Sequence, residues 1–520
     1  MVFEVKRVDL AGRIGKLTTR HGTLETPFLF PVVDPTRQVP SLGKIYEIGF
    51  NGIITNAYLF YKRNQGLVKS LHDELGWKHT IMTDSGGYQI LVYGGVEVDN
   101  KTIVKYEAEI GADIAVILDV PTGSKMTYEE AEKAVYETYK RGIEALPLIE
   151  NTEEMWVYPV QGAPYKDLLS RSAVLARKLP YDIYAVGSPT VMLEKYEYLK
   201  LVEMVITVKL HLPPNKPLHV FGVGHPMIIP FLVAAGADLF DSASYILYAR
   251  DERYMTEFGT KNLKELSYFP CSCPVCSKYT PQELLELNRS ERIELLAVHN
   301  LYMLNKEIRT TKQHIKEGRL WELLEYKSRG HPTLHTAFEF LKKNAKLLER
   351  YSPTSNPGGR AVFMYSGDEA LYNPRISVNV KRAEELALAD VENKTVVIIP
   401  AYRKPYTSQE EFLKVFALSD RSSNVKILFI HPLLGIFTPG LAVTYPFYQH
   451  KCKFTRTLID ESKVRAMITR ILDRKPRKVI VVESSWLNSK LLSELRGLTR
   501  NSDVEVVICR LNDVSSHILR

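Results

Sequence analysis

Cysteine is scarce in this chain of 520 residues, at five in all. That excludes a secreted scaffold stapled by disulfides and fits a reducing cytoplasm. No apolar run approaches the roughly 20 residues needed to cross a bilayer. The opening segment, "MVFEVKRVDLAG", also lacks the hydrophobic stretch of a signal peptide. Export, membrane insertion and a membrane partner are therefore not expected. What remains is an ordinary globular composition, 45% hydrophobic and 25% charged. The length allows roughly two to four domains.

The few cysteines are unevenly placed. Three of them, Cys271, Cys273 and Cys276, fall within "FPCSCPVCSKYT" (269–280). A pair would suggest redox chemistry, but three at this spacing call for a fourth ligand. Thr280-Pro281-Gln282-Glu283 reads as a helix start, with a capping Thr, Pro at the first position and a reciprocating Glu. A second amphipathic helix is expected from about Glu291, with Ile293, Leu296, Ala297, Asn300, Leu301 and Leu304 at helical spacing, and it carries His299. Cys271, Cys273, Cys276 and His299 make a closed Cys3His set with no position left for water, which predicts one structural zinc. Cys452 and Cys509 stand alone and read as ordinary thiols.

Charge is uneven as well. Residues 1–350 hold 43 Lys+Arg against 43 Asp+Glu, and residues 351–520 hold 25 against 17, so the whole net of +8 lies in the last third. Residues 451–500 alone hold 13 against 5, around Arg474, Lys475, Arg477 and Lys478. Such a run is compatible with a solvated helix face, and equally with a polyanionic partner such as nucleic acid.

Eight strand-like apolar runs recur in the first 250 residues: 28–33, 52–57, 80–86, 114–122, 155–162, 183–188, 218–226 and 238–244. Amphipathic helical stretches separate them, as in βαβ units, and eight such units predict a (β/α)8 barrel, with an open doubly wound sheet as the alternative. Seven of the eight runs carry polar or glycine residues at or near their ends: Asn56, Asp84-Ser85, Asp119, Gln161-Gly162, Gly187-Ser188, Gly224-His225 and Asp241-Ser242. Asp84-Ser85 or Asp241-Ser242 could each be a helix cap. Three carboxylates at three strand ends would instead converge on the active-site mouth of a barrel, where they suit acid/base and nucleophilic work. Glycosidic bond exchange uses such a set: one carboxylate attacks the anomeric carbon and another manages the proton of the departing group. These residues alone leave a base exchanger and a sugar hydrolase both open.

The motifs "TDSGGYQ" (83–89), "LDVPT" (118–122), "VQG" (160–162), "FGVGHP" (221–226), "DLFDSASY" (238–245) and "YFPCSCPVCSKYTPQEL" (268–284), together with His299, occur in that order. In them the chain resembles the archaeal tRNA-guanine transglycosylases over roughly residues 3–350, and more weakly to about 455. The resemblance implies an irregular (β/α)8 TIM barrel with an inserted zinc-binding subdomain. It implies an enzyme that replaces guanine at position 15 in the D-arm of tRNA with 7-cyano-7-deazaguanine, the precursor of archaeosine. Carried over residue by residue, it makes Asp241 the nucleophile and Asp84 the general acid/base. Asp119, Ser85 and Gln161 would bind the base, Tyr88 would stack on it, and Gly187 and Ser188 would offer backbone groups. The chain departs from the family at one point, where "GSPTV" (187–191) replaces the common "GGVVP" and puts Ser188 in place of the usual second glycine. A non-catalytic tRNA-binding paralogue is the rival reading, disfavoured because a scaffold has no need of three carboxylates that are costly to desolvate.

The expected domains are the barrel over 1–265, the zinc subdomain with closing helices over 266–350, a linker "YSPTSNPGGRA" over 351–361, and a basic α/β domain over 362–520. The strands of the last domain are expected at "TVVIIPA", "VKILFIHP", "RKVIVVES" and "VEVVICRL". Family members continue into a small RNA-binding domain of the PUA type, which is not evident here. Either a separate PUA-domain chain or the basic stretch is expected to supply its role. The partners expected are tRNA, the free bases guanine and 7-cyano-7-deazaguanine, and a second copy of the chain as a homodimer.

Overall fold

A computed structural model describes residues 3–87, 98–123, 125–355, 361–364, 369–419, 424–431, 433–452, 461–483, 495, 497 and 504–518. The chain divides into two compact units, Met1–Lys343 and Asn344–Arg520. The first opens with an antiparallel meander, β1 (Phe3–Asp9), β2 (Gly12–Thr19) and β3 (Gly22–Glu25). Eight parallel strands follow: β4 (Phe28–Pro31), β5 (Gly52–Asn56), β6 (Thr80–Asp84), β7 (Ile114–Val116), β8 (Met155–Val160), β9 (Ile183–Val186), β10 (Leu218–Val220) and β11 (Leu239–Ser242). They pair in the order β4-β11-β10-β9-β8-β7-β6-β5. Just beyond β4, Val32 bridges Ile54, and Val33 N donates to Ile54 O at 2.8 Å, so the ring closes. Each of the eight expected runs supplies one barrel strand. The open-sheet alternative fails, because it would leave β4 and β5 as unpaired edges.

Strands covered on both faces read as continuous apolar runs, and β8 is buried at all six positions. The meander is an element the apolar runs did not announce, since β1 is exposed or half-exposed at its five central positions. Its apolar side chains decide which end of the barrel stays open. Phe3, Leu17 and Leu24 pack in one cluster with Phe28, Ile114, Met155, Ile183 and Leu239, the first residues of five barrel strands. The N-terminal mouth is thereby plugged, and the C-terminal mouth is left for a site.

Beyond β11, the hairpin β12 (Arg253–Thr256) and β13 (Gly259–Asn262) leads into the cysteine segment. The expected capping box forms: Thr280 and Glu283 exchange bonds, with Pro281 opening the short helix Pro281–Glu286. The next helix, Arg289–Glu317, starts at the N-cap Asn288 and stops at Gly318 in the left-handed conformation. Its buried stripe includes Leu296, His299, Asn300, Met303, Leu304, Ile308 and Ile315.

The second unit holds β14 (Val362–Met364), β15 (Thr395–Pro400), β16 (Val425–His431), β17 (Gly435–Phe437), β18 (His450–Cys452), β19 (Lys478–Val482) and β20 (Glu505–Cys509). The four expected strands, β16, β15, β19 and β20, lie side by side and parallel, with β17 added antiparallel at one edge. β14 and β18 form a separate parallel pair. Residues 351–355, the start of the expected linker, pack within this unit: Arg375 Nη1 donates to Ser355 O at 2.9 Å and Asn379 Nδ2 to Thr354 O at 3.0 Å.

Candidate active site and metal centre

A cavity of about 760 Å³ lies at the C-terminal ends of the barrel strands, and its lining includes Asn56, Asp84, Asp119, Gln161, Ser188, Phe221 and Asp241. These come from the ends of β5, β6, β8, β9, β10 and β11 and from the loop after β7. Parallel strands present all their C-termini at one rim, which is why residues up to 185 positions apart in sequence can share a cavity.

Asp84 ends β6 and receives Asn56 Nδ2 at 3.3 Å and Gly86 N at 3.3 Å. Burial, and then the neighbouring charge of Asp119, push its carboxyl up to about 7. Asp119 is 7% exposed, and burial raises it to about 6 against the opposing hydrogen bond from Gln161. That bond runs from Gln161 Nε2 to Asp119 Oδ2. On its other side Gln161 Oε1 accepts Thr122 N at 3.0 Å, Thr122 Oγ1 at 3.1 Å and Ser188 Oγ at 3.0 Å. Backbone N–H can only donate, so this network assigns the amide orientation. Gly187 lies directly behind: a Cβ there would meet Gln161 Nε2 at 2.2 Å. Ser188 takes a glycine-like backbone with φ of 58°, and its hydroxyl is a third donor to Gln161.

Asp241 ends β11. Its Oδ1 accepts His219 Nε2 at 2.7 Å and Gly222 N at 2.9 Å. A carboxylate oxygen only accepts, so Nε2 of His219 carries hydrogen. His219, fully buried on β10, was not singled out from the sequence; the signal was a lone polar residue inside an apolar strand. The rim arginines Arg37, Arg63 and Arg250 also line the cavity and were not anticipated. Ser85 is fully buried and donates to Ile117 O at 3.1 Å, standing behind the cavity wall. Tyr88 lies outside the described residues.

The four expected metal ligands come together: one ligand atom each from Cys271, Cys273, Cys276 and His299 lies within 4.8 Å of the others. His299 Nδ1 sits 3.5 Å from Cys273 Sγ and 3.3 Å from Cys276 Sγ. Its other nitrogen, Nε2, donates to Met255 O at 2.9 Å, which leaves Nδ1 bare and aimed at the sulfurs. Tyr254 stacks on the ring at 3.7 Å. This donor set fits a tetrahedral metal ion. The neighbouring Asn300 ties the site to the barrel, accepting Met255 N and donating to Tyr245 O.

The sequence model of the TGT family, described as queuine tRNA-ribosyltransferase, matches residues 9–333. The chain belongs to this family. It is therefore a pentosyltransferase. Among its relatives, the tRNA-guanine(15) transglycosylase of Aeropyrum pernix is 47% identical over 454 residues, which cover 86% of this chain and 87% of that one. The protein of the same name from Saccharolobus solfataricus is 43% identical over 483 residues, covering 91% and 94%. That of Methanocaldococcus jannaschii is 40% identical over 462 residues, 87% of this chain and 68% of the other.

In this ribosyltransferase the basic stretch lies in the second unit, after the helix Glu461–Leu472. Arg474, Lys475 and Arg477 are exposed, whereas Lys478 is half-buried and pairs with Glu505 at 3.2 Å. Among the described residues, no helix is long and apolar enough to cross a membrane.

Proposed function

We propose that this chain replaces guanine 15 in the D-arm of tRNA with 7-cyano-7-deazaguanine through a covalent aspartyl-ribosyl intermediate. The observation that carries the reading is the meeting of Asp84, Asp119 and Asp241 at one cavity. Among the described residues, the hydrogen bonds to the Asp241 carboxylate, from His219 Nε2 and Gly222 N, fall on Oδ1, so Oδ2 is the oxygen that attacks C1′ of the target nucleotide. As the O–C1′ bond forms, the bond from C1′ to the base nitrogen breaks. Asp84, poised near neutrality, gives that departing guanine its proton. The incoming base then returns a proton to Asp84, attacks C1′ and frees Asp241. Asp119 accepts the N1–H and 2-amino donors of either base, and the locked Gln161 amide contributes beside it. Phe221 offers an apolar face for the base, and the rim arginines suit flanking phosphates. Position 15 is buried in folded tRNA, so the base must be extruded to reach the cavity. Cys271, Cys273, Cys276 and His299 hold one structural zinc.

The test is Asp241→Asn, nearly isosteric and a poor nucleophile. Wild type mixed with tRNA and a slow substrate should give a denaturation-resistant protein–RNA band and incorporate labelled guanine. The variant should bind tRNA yet do neither. An undiminished adduct in Asp241→Asn would move the nucleophile elsewhere, with Asp84 next in line.

A further inference from the structure

We propose a second divalent-cation site, suited to zinc, formed by His21, His72 and Asp113 at the plugged end of the barrel, away from the catalytic cavity. The residues come from three separate places: the turn between β2 and β3, the short helix Leu71–Leu75, and the residue before β7. One ligand atom of each lies within 4.8 Å of the others. His21 Nδ1 is 3.0 Å from Asp113 Oδ1, and His72 Nε2 is 3.3 Å from Asp113 Oδ2. Ligand atoms around a tetrahedral zinc sit about 3.4 Å apart, given metal–ligand bonds of about 2.0–2.1 Å.

The orientation of the side chains is the decisive feature. His72 Nδ1 lies 2.7 Å from Trp77 O, a carbonyl that can only accept, so Nδ1 carries the hydrogen. The other nitrogen, Nε2, is buried and faces Asp113 Oδ2 at 3.3 Å. A cation held between the two atoms would satisfy both. A backbone carbonyl that fixes the far nitrogen is also how metal-binding imidazoles are commonly oriented. A proton on Nε2 would serve there too, by making an ion pair. An ion pair, however, has no use for the second imidazole, which lies 3.8 Å away, tilted by 35°, with its own nitrogen on the same carboxylate. The carboxylate itself is pre-set: Asp113 Oδ1 accepts His21 N and Oδ2 accepts Ile81 N, both at 2.9 Å. The nearby Arg20 is engaged with Glu153 and Glu154 at 3.3 and 3.2 Å, so it does not fill the place. The His21 side chain is 38% exposed, which leaves the fourth position open to water. Two imidazoles and one carboxylate suit zinc and its neighbours in the first transition row better than magnesium or calcium. A bound ion would tie the meander to the barrel floor.

The experiment measures bound zinc on the full-length protein after incubation with excess zinc and gel filtration. Wild type should retain two equivalents per chain, while His21→Ala, in an exposed turn, and His72→Gln should each retain one. Cys273→Ala should lose the other equivalent independently. Cobalt substitution separates the sites by colour: sulfur-to-metal charge-transfer bands belong to the cysteine centre and should persist in His21→Ala, while a weaker sulfur-free spectrum disappears. Wild type that retains a single equivalent, or His21→Ala with unchanged metal content and spectrum, would overturn the proposal.

Discussion

Asp84 shows how one residue serves chemistry against stability. In the proposed reaction it must still hold its proton near neutral pH to release guanine, and burial together with Asp119 raises it from 3.8 to about 7. Guanine release under single-turnover conditions should therefore fall about tenfold per pH unit above about 7, measured as a pH–rate profile. In the unfolded chain Asp84 ionises near 3.8, so its stabilising contribution is complete below that value and is lost as pH rises through about 7. Asp84→Asn should then be inactive yet more stable than wild type at pH 8, by up to roughly 4 kcal/mol at about 1.4 kcal/mol per unit. The figure is an upper bound because water reaches the cavity. The advantage should vanish by about pH 4, and urea melts at the two pH values would check it. Ser188 is the second case. A non-glycine residue at φ of 58° costs roughly 1–2 kcal/mol, partly offset by its bond to Gln161. Ser188→Gly should leave stability within about 1 kcal/mol of wild type, whereas Ser188→Ala keeps the strain and loses the bond. Calorimetry of free-base binding should rank wild type first and Ser188→Ala last.

At the scale of elements, local signals were legible wherever a residue acts on its own neighbours. Thr280, Pro281 and Glu283 announce a helix start because capping is a short-range hydrogen-bond problem, and that box forms as read. The meander was not legible, because its apolar residues are spaced among exposed ones and gain meaning only against the barrel floor. The cysteine segment has no regular secondary structure of its own between residues 266 and 280. The proposed metal and the long helix carrying His299 would supply its order. Cys273→Ala should consequently lower metal content and melting temperature together, with activity falling only as far as folding does. A folded, zinc-free variant that binds tRNA but cannot exchange bases would point to a catalytic metal instead.

For the molecule as a whole, long-range charge is the relevant quantity. Residues 1–300 hold 32 Lys+Arg against 37 Asp+Glu, so the bulk of the barrel carries no general attraction for tRNA. The cavity rim is a local exception, with Arg37, Arg63 and Arg250. Reversing Arg474, Lys475 and Arg477 to Glu should weaken tRNA binding at low salt and flatten its dependence on salt between about 50 and 200 mM, since each phosphate contact releases a counterion. Lys478 is better left in place, because its reversal would set a like charge beside Glu505. An unchanged slope would assign these residues to solvent and leave the rim and the zinc-flanking helices to hold the RNA.

Periodicity, strand-end chemistry and cysteine spacing in the sequence pointed to the eight-stranded barrel, to the rim that bears its carboxylates and to the Cys3His group. The strand repeat is local, parallel strands all end at one rim, and three of the four metal ligands lie within six positions of one another. Other features depend on residues that meet only once separate strands and turns have come together. These include the bond from His219 to Asp241, the amide of Gln161 held between Thr122, Ser188 and Asp119, and the grouping of His21, His72 and Asp113. No spacing along the chain records such meetings, because each partner arrives on a different strand or turn, and it is the pairing of β10 with β11, and of β8 with β7 and β9, that sets the site residues side by side.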